Sequence, residues 1–124
     1  MLNDTSGYIS DGYNLYPNNL DCGWIITSPG DFIRLEFRQL STEYGLDYVR
    51  VYLGDSSDGT LIGEYSGSEV PVSSLVSFVG SMYVEFTTFG ESSGDSAAGF
   101  VAMYQVTQFI TSIPTTNYIC KVVY

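Results

Sequence analysis

The sequence predicts an all-β fold, and three observations predict it. Apolar residues recur at every second position in several short windows, the period of a strand with one face buried. Each window closes on Gly, Ser, Asp or Pro, the residues of tight turns. The composition, with 11 Tyr, 7 Phe and 13 Gly in 124 residues, suits strands joined by turns, and long aliphatic helix formers are scarce.

Taken in order, "GWIIT" around Trp24 opens the strand pattern. "FIRLEFRQL" follows as the clearest case, with Ile33, Leu35 and Phe37 on one face and Arg34, Glu36 and Arg38 on the other. "DYVRVYL" turns Val49 and Val51 inward, and "LIGEY" near Leu61 and "SLVSFV" near Val76 add two shorter runs. "MYVEF" (Met82, Val84, Phe86) and "GFVAMY" (Phe100, Ala102, Tyr104) alternate likewise. A sheet with one apolar face must bury it against another layer, so seven or more such strands predict a sandwich or a barrel. "SPGD", "GDSSDG" and "FGESSGDSAAG" read as the connecting loops, and 124 residues suffice for one core but not two. Trp24, Ile33, Leu35, Phe37, Val49, Val51, Val84, Phe86 and Phe100 are the expected core.

Charge narrows the function. Fourteen acidic residues against four basic ones leave a net charge of -10, which repels nucleic acid and anionic lipid. No apolar run reaches the roughly 18 residues of a membrane span. The start, "MLNDTSGYIS", has neither the basic end nor the apolar core of a signal peptide, so a secreted protein would have lost its leader. Asn3-Asp4-Thr5 fits an N-glycosylation acceptor at Asn3, which has meaning in a secretory pathway. "GDS" at Gly94–Ser96 has the look of a nucleophile loop, but the chain has no His and a single Lys to serve as base, which predicts a non-enzyme. "GDSSDG" lacks the ligand spacing and distal Glu of a calcium loop and reads as a hairpin turn. The many Tyr allow sugar stacking, but alternating Tyr in strands is ordinarily half-buried packing. Cys22 and Cys120 are either a disulfide or two buried thiols.

Read in succession, "SGYIS", "YPNNLDCGWII", "IRLEF", "EYGLDYVRVYLG", "LIGEYSG", "MYVEFTT" and "GFVAMY" resemble the signatures of a CUB domain, an extracellular module. The resemblance runs from about Ser6 to Tyr104. It implies a jelly-roll-type β-sandwich of two antiparallel sheets over residues 1–106, and it leaves residues 107–124 as an extension. Many members bind calcium, and the first two family ligands map onto Glu43 and Asp47. A cation that takes six to eight oxygen ligands would turn the repulsion of those acids into attraction. The third family position falls on Phe89, which cannot coordinate a metal, so Glu91 or Asp95 in the same long loop would have to complete the shell. Without a metal, Glu43 and Asp47 are solvated loop acids, Asp47 accepting backbone hydrogen bonds. Tyr44, between them on a loop, is an expected anchor for a partner.

The family's first disulfide implies a bonded role for Cys22, whose usual N-terminal partner is missing, and a later family Cys is replaced by Ser66 in "EYSG". Cys120 is then its candidate partner, within the chain or between chains. The tail alternates Tyr118, Cys120, Val122 and Tyr124 against Ile119, Lys121 and Val123, which predicts an additional C-terminal strand. That strand either returns to its own domain, the course with the smaller entropy cost, or adds to a neighbour's sheet edge and builds a fibre. The functional expectation is a secreted or cell-surface recognition module. Calcium would organise its acidic loops to receive a Lys or Arg of a partner protein. A self-associating structural subunit and a carbohydrate-binding module are the rival expectations.

Overall fold

The computed structural model describes residues 3–10, 20–28, 32–42, 45, 47–88, 99–108 and 115–122. Among them are nine strands and no helix: β1 (Asn3–Ser10), β2 (Leu20–Thr27), β3 (Phe32–Ser41), β4 (Tyr48–Leu53), β5 (Leu61–Tyr65), β6 (Leu75–Ser77), β7 (Ser81–Thr87), β8 (Gly99–Gln108) and β9 (Thr115–Val122). They form two antiparallel sheets, in the orders β1-β8-β3-β6 and β5-β4-β7-β2-β9. All seven windows of alternation are strands, and the sandwich is the architecture the sequence predicts.

The apolar faces of the two sheets meet in one core. All nine expected core residues are buried there, together with Ile9, Cys22, Ile26, Leu40, Met82, Ala102 and Val106. Phe100 sits at its centre, with ring centroids 5.0 Å from Trp24, 5.7 Å from Phe86 and 6.0 Å from Phe37. Tilted and edge-on pairs of this kind add to the gain from burial.

Local departures from alternation have local causes. In β3 a register shift against β8 between Phe37 and Gln39 inserts a bulge, so Arg38 and Gln39 are both exposed and Leu40 recovers the core. In β6 the inward residue is Ser77, whose hydroxyl donates to the Ser81 carbonyl at 2.7 Å, and Val76 faces out. β4 and β5 make a hairpin through "GDSSDG", as expected. Gly59 is required there, because a Cβ would overlap the Leu53 carbonyl oxygen. β1 carries no alternation strong enough to announce it. Its polar sequence suits an edge strand whose partner, β8, supplies the ladder over Asn3–Ser10.

The tail folds back on its own domain. β9 pairs antiparallel with β2 from Leu20↔Val122 to Thr27↔Thr115 and becomes an edge of the five-stranded sheet.

Candidate functional site

In the sequence the acids of "STEYGLDYVRVY" fall between β3 and β4, and the small side chains of Thr42 and Ser66 fix that turn. Thr42 and Gly67 bind each other twice: the Thr42 N–H donates to the Gly67 carbonyl and the Gly67 N–H to Thr42 Oγ1, both at 2.8 Å. The Thr42 hydroxyl in turn donates to the Asp47 carbonyl at 3.2 Å. Ser66 does the rest, since its hydroxyl donates to the same Asp47 carbonyl at 2.8 Å and accepts from the Gly45 N–H at 2.9 Å. Gly45 takes φ 79°, a left-handed conformation that costs Gly little and lets the chain reverse within the loop.

Asp47 is therefore held by its backbone on two sides, and it is 0% exposed. It is not the solvated loop acid that its polarity alone allows. Removing a carboxylate from water demands donors or a cation around it. Hard oxygens at the head of a strand, on a loop that also carries Glu43, suit a calcium ion in chemistry. Among the described residues no group of three His, Cys, Asp or Glu is placed to hold a metal. Glu43, Tyr44, Glu91 and Asp95 lie outside the described residues. Thr42, Ser66 and Gly67 had no place in the sequence reading of the site; the one signal was "YSG", where Ser66 stands in for a family Cys.

Beside the loop, the outer face of the five-stranded sheet carries a charged row. Arg50 Nε donates to Glu64 Oε2 at 2.8 Å, its Nη1 lies 3.9 Å from Glu85 Oε1, and its guanidinium sits 4.6 Å from the Tyr48 ring centroid. Burial raises the Glu85 carboxyl above its ordinary pKa, Asp21 adds to that through charge, and Arg50 opposes both. On this face Tyr48 and Tyr52 are half-buried, as packing Tyr should be, whereas Tyr8 on β1 is 67% exposed.

Elsewhere, Asn3 opens β1 opposite Gln108, at the edge of the four-stranded sheet. Cys22 is buried in β2, and the register sets it opposite Cys120 in β9.

Residues 2–104 match the CUB domain family. The chain belongs to the CUB family. Curated relatives include cubilin of Sus scrofa, 35% identical over 112 residues, which cover 86% of this chain and 3% of that protein. Neuropilin-1 of Xenopus laevis is 36% identical over 104 residues, covering 78% of this chain and 11% of that protein. The exoskeleton protein RP43 of Riftia pachyptila is 36% identical over 90 residues, covering 67% of this chain and 21% of that protein. The chain thus spans a small part of each relative. Among solved structures, the CUB1-EGF-CUB2 region of human MASP-1/3 superposes with a TM-score of 0.67 at 26% identity, over 82% of this chain and 41% of that one. The MASP-1 CUB2 domain, solved bound to Ca2+, superposes at 0.66 with 20% identity, over 80% of this chain and 90% of that one. Strand β9 lies beyond the stretch that matches the CUB family.

Proposed function

We propose that this CUB domain is a non-catalytic extracellular module for protein recognition, in which calcium organises the loop between β3 and β4. The observation that carries the reading is the buried Asp47, fixed through its carbonyl by Ser66 and Thr42. Asp47 and Glu43 would hold the ion, with Glu91 or Asp95 completing the shell and Tyr44 standing beside them as a contact for the partner. The ion supplies a fixed positive centre that lets these carboxylates crowd together. The chain's part is to keep them oriented so that their outer oxygens accept charge-assisted hydrogen bonds from a Lys or Arg of the partner.

The fold-back of β9 supports residues 107–124 as an extension that completes the domain of residues 1–106, rather than an arm lent to a neighbour. An intramolecular Cys22–Cys120 disulfide is part of this proposal. Residues directly opposite in an antiparallel pair have Cα atoms about 4.5–5.5 Å apart, within the span a disulfide bridges. No free cysteine occurs among the described residues. Such a bond, and a glycan on Asn3, belong to an oxidising, secretory setting.

Thermal melting in calcium and in EDTA tests the reading. A ligand bound by the folded state alone stabilises it by about 2.7 kcal/mol at a hundredfold excess over its Kd. Calcium should raise the midpoint, and Asp47→Asn should remove the response. Glu91→Ala compared with Asp95→Ala identifies the third ligand. Identical midpoints in calcium and EDTA would end the calcium reading.

A further inference from the structure

Three shallow depressions adjoin one another along the five-stranded sheet, at its β5 edge. The first, of about 430 Å³, runs from Glu64 and Tyr65 past Glu69 to Val70, Pro71 and Val72. A second of about 470 Å³ lies against Ser66–Glu69, and a third of about 370 Å³ between Gly45, Tyr48, Glu64 and Ser66. Ser66 lines all three, Glu64 joins the first to the third, and Glu69 joins the first to the second, so they make one trough.

We infer that this trough docks an extended segment of a partner protein that carries a Lys or Arg next to an apolar residue. Charge complementarity selects the occupant. Glu64 and Glu69 line the trough, no Lys or Arg among the described lining residues does, and the chain carries a net charge of -10. Glu64 already serves Arg50, whereas no ion pair among the described residues engages Glu69, which is exposed. Val70 and Val72 are exposed as well, Val72 completely, and offer the apolar half of the contact. β5 is an edge strand, so an extended backbone has an open ladder to follow toward the turn at Gly45. A second copy of this chain is a poor occupant, because it would bring the same negative charge.

The inference rests on the recognition role proposed above but not on its metal, since Asp47, the candidate calcium ligand among the described residues, does not line the trough. The test is a titration of the isotope-labelled protein with the capped peptide Lys-Val-Lys-Val, followed by backbone amide shifts, in calcium and in EDTA, with Glu-Val-Glu-Val as control. The expected result is shifts at Gly45, Tyr48 and Ser66–Val72 with the basic peptide in both buffers, and none with the acidic one. Glu69→Lys should weaken binding about fivefold, the size of one exposed ion pair. Val72→Ser should weaken it too, and both variants, at exposed loop positions, should melt like the parent. No shifts in the trough, or equal binding by the Glu69→Lys variant, overturns the inference. Shifts confined to Thr42–Tyr48 and seen in calcium alone overturn the trough while supporting the metal loop. Trough shifts together with melting indifferent to calcium keep the trough and remove the metal.

Discussion

Ser66 shows how one hydroxyl can pin a loop from another strand's end. It donates to Asp47 and accepts from Gly45, tying the β3–β4 loop to the end of β5. Ser66→Ala takes the partner from the exposed Gly45 N–H and leaves the Asp47 carbonyl with Thr42 alone, and a hydrogen bond of this kind contributes about 0.5–1.5 kcal/mol. The variant should lower the urea midpoint and speed exchange of the Gly45 amide; unchanged exchange there would show that Ser66 does not hold the loop. Glu85 makes the opposite kind of contribution. Its raised pKa means that the folded state holds the proton more tightly than the unfolded state. Ionising it therefore destabilises the fold, fully above the folded pKa, and the penalty fades as pH falls through that value toward the unfolded one. Glu85→Gln should melt above the parent at neutral pH, with the difference vanishing in acid. A constant difference across that range would assign the effect to packing instead.

At the scale of elements, the packed faces follow alternation wherever the ladder is regular. β4 and β7 bury every second residue, Val49 and Val51 against Val84 and Phe86. Phe100, on β8, touches rings of both sheets, so Phe100→Ala should cost about 3–5 kcal/mol by chemical denaturation. A variant with the parent's midpoint would mean that Phe100 does not organise the core. Where the ladder is irregular, alternation misleads. The β3 bulge exposes two residues in succession. In β6 the ladder is regular, yet its register against β3 turns Ser77 inward and Val76 outward. β1 is not among the strands that alternation predicts, since an edge strand with a polar face needs little apolar periodicity.

For the whole molecule, the tail decides how the five-stranded sheet ends. β9 covers the edge of β2 that would otherwise be open to other chains. A Cys22–Cys120 bond would close a loop of nearly the whole chain, where chain-entropy reasoning gives up to about 4.7 kcal/mol for roughly 100 residues. Reductant should therefore lower the melting point of the parent, and Cys120→Ser should lower it to the same value and abolish the response. On a non-reducing gel the parent should run as a monomer with no alkylatable thiol. Two freely alkylated cysteines in the native protein would sink the bond, and a ladder that collapses in reductant would move it between chains.

What the sequence determined by itself was the layer architecture, the nine core positions and the family, because burying one face of a strand leaves a period-two trace in any chain that does it. It also singled out Glu43 and Asp47 as candidate ligands, since crowding like charges in so anionic a chain marks the place. Tertiary structure alone decided that Asp47 is buried, its carbonyl held by Thr42, across the loop, and by Ser66, just past the end of another strand. It alone also joined Glu64, Glu69 and Val72 to Gly45 in one trough, and brought Cys120 opposite Cys22. These are contacts between residues distant in sequence, fixed by strand order and register, and no local pattern carries them.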